Sequence, residues 1–106
     1  MMAGMISVPI YFTANRETIQ YIIEESNTKV VFVGKLDGLV EAQEGIAQHI
    51  PRIIFPYPSV SGQYSWQALL ENEPLEEIHT ADAEDTMTLA YTSGSTGKPK
   101  GVVITY

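Results

Sequence analysis

Residues 86–105 read Thr86-Met87-Thr88-Leu89-Ala90-Tyr91-Thr92-Ser93-Gly94-Ser95-Thr96-Gly97-Lys98-Pro99-Lys100-Gly101-Val102-Val103-Ile104-Thr105. Residues 86–92 alternate strictly and put Met87, Leu89 and Tyr91 on one face, the period of a strand. Residues 102–105 form a second, β-branched run that suits a returning strand. From Thr92 to Gly101 the chain holds three glycines, four hydroxyls (Thr92, Ser93, Ser95, Thr96) and two lysines. The spacing predicts an antiparallel hairpin carrying a long glycine-rich loop. Glycine lets backbone bend tightly and approach a ligand closely. Successive N–H groups in such a loop form a concave nest suited to a polyphosphate.

The loop is not a Walker motif, which needs four residues between its first glycine and its Gly-Lys pair, followed by Ser or Thr. Gly94 and Gly97 enclose two residues, and Lys98 is followed by Pro99. Proline has no N–H and a fixed φ, so no helix begins at Lys98 in the Walker manner, and the helix-dipole phosphate site is absent. The bland alternative is a solvated Gly/Ser/Thr/Pro hairpin loop, whose composition turn chemistry alone explains.

Upstream, residues 6–11 read as a short strand, with Pro9 awkward at its centre. Thr13 or Asn15 suits the cap of a helix running to about Ser26. Its apolar stripe is Ile19, Ile22 and Ile23, and Asn27 fits its exit. Residues 30–33 form a continuous apolar run, expected to be a strand covered on both faces. A second helix is expected from about Leu36 to His49, with a stripe of Leu36, Leu39, Val40, Ile46, Ala47 and Ile50, before Pro51 blocks it. Residues 53–55 read as a third strand. Ser65 caps a short helix through Leu70, with Trp66, Leu69 and Leu70 on one side and Trp66 packed under the following connector. The order β-α-β-α-β predicts an α/β fold: a layered domain with a mainly parallel sheet and a C-terminal antiparallel hairpin carrying the phosphate loop.

Charge narrows the function. The 106 residues carry a net charge of −7, which argues against nucleic acid as a partner. Glu71, Glu73, Glu76, Glu77, Asp82, Glu84 and Asp85 make an acidic stretch without a base, read as a solvated connector. Lys98 and Lys100 are the only bases after Arg52, so the glycine loop stands out as a local anion site. There is no cysteine, which excludes disulfides and cysteine-based metal sites. His49 and His79 show no ligand spacing, and no metal ligands are assigned. No apolar run approaches the ~20 residues of a membrane span. The N-terminus lacks a signal-peptide pattern, so a cytoplasmic setting is expected, with a peripheral place at a membrane left open for the parent protein.

The stretch from Leu89 to Ile104 resembles the phosphate-binding signature of the adenylate-forming superfamily. That family includes acyl-CoA synthetases, peptide-synthetase adenylation domains and luciferases. Its pattern, Tyr/Phe-Thr-Ser-Gly-Ser/Thr-Thr-Gly-x-Pro-Lys-Gly, is matched from Tyr91 to Gly101 without a break. Val8-Pro9-Ile10-Tyr11, the helix ending near Glu24-Glu25-Ser26, and Lys29-Val30-Val31-Phe32-Val33 also resemble the family, in wording closest to the long-chain fatty acyl-CoA synthetases.

The resemblance implies an AMP-forming ligase that joins a carboxylate to ATP as an acyl-adenylate, then passes the acyl group to coenzyme A. It implies that Thr92, Ser93, Ser95 and Thr96 contact the ATP phosphates and that Gly94 and Gly97 permit close approach. Lys98 or Lys100 would offset charge on departing pyrophosphate. Lys100 matches the family lysine, whereas Lys98 holds its variable position. Mg²⁺ would accompany the phosphates. The family's adenine, ribose and magnesium motifs and its mobile C-terminal domain do not occur in the chain. Residues 1–106 therefore read as a partial AMP-binding domain ending just after its phosphate loop. Alone it is expected to hold no catalytic residue and to be inactive, and its bare sheet edges are expected to favour self-association. Two other readings stay open: a non-catalytic nucleotide or pyrophosphate-binding module, and an adenylation domain for another carboxylate such as an amino acid.

Overall fold

A computed structural model of the chain describes residues 3–34, 39–56, 62–93 and 97–106. They divide into two compact units, residues 11–73 and residues 1–10 with 74–106.

The first helix of residues 11–73, α1 (Arg16–Glu25), is fixed at both ends by its own sequence. Asn15, extended at φ −78° and ψ 169°, is the N-cap, and its Oδ1 accepts from the Thr18 amide at 2.9 Å. At the exit Asn27 takes φ +54°. Its N–H donates to the Glu24 carbonyl at 3.2 Å, and the Thr28 N–H donates to the Ile23 carbonyl at 3.1 Å. This is the paired arrangement that closes a helix through a left-handed residue. The expected stripe is real: Ile19, Ile22 and Ile23 are all buried.

Three parallel strands follow in the order β1 (Val31–Val33), β2 (Arg52–Ile54) and β3 (Tyr64–Ser65). Phe32 pairs with Ile53, and Ile53 with Tyr64. Val33, Ile53 and Ile54 are buried. The expectation that β1 is covered on both faces fails at Phe32, which is 44% exposed. Its cover is partial and aromatic: Phe55 and Trp66 have ring centroids 6.2 and 6.4 Å away, and they lie 4.8 Å from each other. Trp66 thus packs against sheet aromatics rather than under the connector. It opens the short helix α3 (Trp66–Leu70), capped by Ser65, whose Oγ accepts from the Ala68 amide at 3.1 Å. Leu69 and Leu70, expected to share its packed side, are exposed.

The second helix is shorter than expected. α2 spans Leu39–Gln43, and its expected start at Leu36 lies outside the described residues. Beyond Gln43 the backbone tightens into successive turns, with the amides of Glu44, Gly45, Ile46 and Ile50 each bonded three residues back. Gly45 permits this: a Cβ there would lie 2.5 Å from the Arg16 carbonyl of α1. Ala42, Ile46 and Ile50 are buried, whereas Val40 and Ala47 of the expected stripe are exposed.

In the other unit, β4 (Thr86–Thr92) and β5 (Lys100–Thr105) pair antiparallel. The first expected strand, residues 6–11, is reduced to one parallel bridge between Ser7 and Thr88. Ser7 N–H donates to the Met87 carbonyl, and Leu89 N–H donates to the Ser7 carbonyl. Pro9, which has no N–H to donate, stands where a longer ladder would need one. Among the described residues the strands therefore form two sheets rather than one. Residues 71–85 contain no regular element and are exposed apart from the half-buried Ala81, as expected of a solvated connector.

Candidate phosphate-loop site

The hairpin positions the ends of the glycine loop. Thr92, the last residue of β4, pairs with Lys100, the first of β5, and one step further in Tyr91 pairs with Gly101. Lys100 and Gly101 are therefore strand residues, and the returning strand begins two residues earlier than its β-branched run suggests. Cross-strand partners project from the same face and successive pairs from opposite faces. Thr92 and Lys100 accordingly share one face, and Tyr91 and Gly101 share the other.

Thr92, Ser93, Gly97, Lys98 and Lys100 are all exposed, and Pro99 is half-buried. Gly97 has φ +92°, a conformation that favours glycine, and a Cβ there would meet nothing within 4 Å. Its lack of a side chain is needed for backbone geometry, and the space beside it is open to a ligand. These features fit a polyphosphate: open backbone, hydroxyls and two ammonium groups at one end of a hairpin. Gly94, Ser95 and Thr96 lie outside the described residues.

Among the described residues no three of His, Cys, Asp and Glu come together as a ligand set. His79 instead has its ring 3.4 Å from where a Cβ of Gly4 would stand.

The sequence reading passed over Tyr91 and Gly101 as site residues. Tyr91 is the one buried member of β4, and β5 has none. The signal available was their place at the two ends of the motif, ten positions apart, as a hairpin pairs them.

The structure superposes on an anthranilate CoA ligase, AuaEII, solved with anthranoyl-AMP, at a TM-score of 0.78 and 24% identity over 96% of this chain and 20% of that one. The family model described as AMP-binding enzyme matches residues 1–106, and the chain belongs to that family. Long chain acyl-CoA synthetase 1 of Arabidopsis thaliana is 32% identical over 96% of this chain and 18% of its own length. The human long-chain-fatty-acid–CoA ligase ACSBG2 is 29% identical over 100% of this chain and 18% of its own. The chain thus spans less than a fifth of these relatives. No helix among the described residues is long and apolar enough to cross a membrane.

Proposed function

We propose that this chain supplies the phosphate-binding loop of an AMP-forming acid–thiol ligase, with a long-chain fatty acid as the carboxylate and coenzyme A as the final acceptor. The carrying observation is the pairing of Thr92 with Lys100 at the base of the loop. It sets a hydroxyl and an ammonium on one face at the base of the loop that contains Gly97. The names of the relatives favour a fatty acid over an amino acid.

In this reading the carboxylate oxygen attacks the α-phosphorus of ATP, and the bond to the β-phosphate oxygen breaks to release pyrophosphate. The loop hydroxyls and amides of Thr92, Ser93, Gly94, Ser95, Thr96 and Gly97 hold the departing phosphates. Lys100, with Lys98 beside it, stabilises the charge gathering on them. Mg²⁺ bound to ATP would add charge neutralisation, and the described residues are given no part in holding it.

Titration of the chain with inorganic pyrophosphate, followed by amide chemical shifts, tests the reading. Shifts confined to residues 92–100 that are lost in Lys100→Ala support it. A folded chain that shows no shift at millimolar pyrophosphate overturns it for this chain alone. Pyrophosphate release from ATP and a fatty acid is expected to be absent. A second reading, association through the β5 edge, draws on the exposure of all six β5 residues, and sedimentation as a strict monomer would refute it.

A further inference from the structure

Tyr91 and Gly101 bracket the loop motif, and neither has a part in holding phosphate in the reading above. Yet they are cross-strand partners. Tyr91 is only 6% exposed, while Thr92 and Ser93 after it and every residue of β5 are exposed. A Cβ built on Gly101 would lie 3.3 Å from Cζ of the Tyr91 ring and 3.4 Å from both Cε1 and Oη. The ring therefore lies across the strand, over bare backbone.

The two described glycines of the motif are glycines for different reasons. Gly97 has positive φ and open space. Gly101 is not among the positive-φ residues, so its backbone conformation does not require glycine, and the three heavy atoms nearest a Cβ there all belong to the Tyr91 side chain. A slip of β5 by one residue would bring Lys100 or Val102 under the ring in place of Gly101. Such a slip also moves every side chain of the strand to the opposite face.

We infer that Tyr91 is a positioning residue for the loop: its ring, seated on the backbone of Gly101, holds β5 in the register that sets Lys100 opposite Thr92. The structural claim rests on the hairpin alone, and its consequence for ligand affinity rests on the phosphate-loop reading. Strand propensity gives an opposing expectation that sharpens the test. Val is among the best strand residues and Gly among the poorest, so Gly101→Val would strengthen β5 if the ring did not occupy that space.

The experiment uses the 106-residue chain. Cross-strand NOEs between residues 92 and 100 report the register, titration with inorganic pyrophosphate reports the loop, and the methyl signals of Ile19, Ile22 and Ile23 verify that residues 11–73 stay folded. Wild type and Tyr91→Phe, which keeps the ring, should both show the 92–100 NOEs. Gly101→Val and Tyr91→Leu should lose the NOEs and bind about tenfold more weakly, the equivalent of about 1.4 kcal/mol. In the double variant the valine has room, so its added effect should shrink. Persistence of the NOEs in both Gly101→Val and Tyr91→Leu overturns the inference. If wild type fails to bind pyrophosphate, the phosphate-loop reading falls, and the NOEs alone still decide the role of Tyr91.

Discussion

The two compact units bury their side chains very unequally. Among the described residues, nine of the ten buried apolar residues lie within residues 11–73, drawn from α1, the parallel sheet, α2 and the turns after it, and the tenth is Tyr91. The hairpin unit thus carries the motif with almost no core of its own, whereas the unit with the core carries no comparable motif. Stability in such a chain is local, and binding loops are drawn from its lower end.

The comparison is most strongly tested in the core. Ile22, 4% exposed, should cost about 2–5 kcal/mol when cut to alanine. Urea unfolding followed by the fluorescence of Trp66, the single tryptophan, reads this directly because Trp66 belongs to residues 11–73. A cost below about 1 kcal/mol would show that the buried isoleucines are not the source of stability. The next effect belongs to the hairpin. Gly97→Ala forces a side chain into φ +92° and should cost about 1–3 kcal/mol locally. It should appear as faster hydrogen exchange at β5 amides with no change in the Trp66 transition. A matching shift in that transition would mean the units unfold together.

Asn15→Ala removes the cap of α1 and should cost about 0.5–2 kcal/mol, read in the same Trp66 transition. The smallest effects are at the surface. Val103, 60% exposed, should change stability by less than about 0.5 kcal/mol when cut to alanine. Glu44→Gln breaks a 3.1 Å ion pair with Arg16 whose side chains are 50% and 57% exposed. Solvent screening limits its effect to about the same size. If Val103→Ala cost as much as Ile22→Ala, the hairpin would have a core of its own and the contrast would fail.

What could be read from sequence follows the range of the forces. α1 was legible from end to end because its cap, stripe and left-handed exit are all local. The helix expected over 36–49 was overextended because the close-packed turns around Gly45 bury Ile46 and Ile50 at nearly helical spacing. Gly45 meets the α1 backbone, a contact no local pattern shows. β3 was missed because two residues are too few for a period to appear, and it exists only by pairing with β2. The split into two sheets likewise depends on long-range pairing. At the site the loop was legible as a motif, but Gly101 was read with the other glycines as letting the backbone bend and approach a ligand, rather than as a seat for Tyr91. That role emerges only when the ladder sets them opposite each other.

The exposed acidic connector also governs how the molecule can be taken apart. Between Arg52 and Lys98 there is no lysine or arginine, and the bond after Lys98 leads into Pro99, a junction trypsin cuts poorly. Digestion would leave residues 53–100 as one long peptide holding α3, the connector, β4 and nearly all of the motif. A glutamate-directed protease meets the opposite landscape, with Glu71, Glu76 and Glu77 in exposed backbone of the connector. Mass-spectrometric mapping of a modification at Ser93 or Lys98 should therefore start from a glutamyl digest.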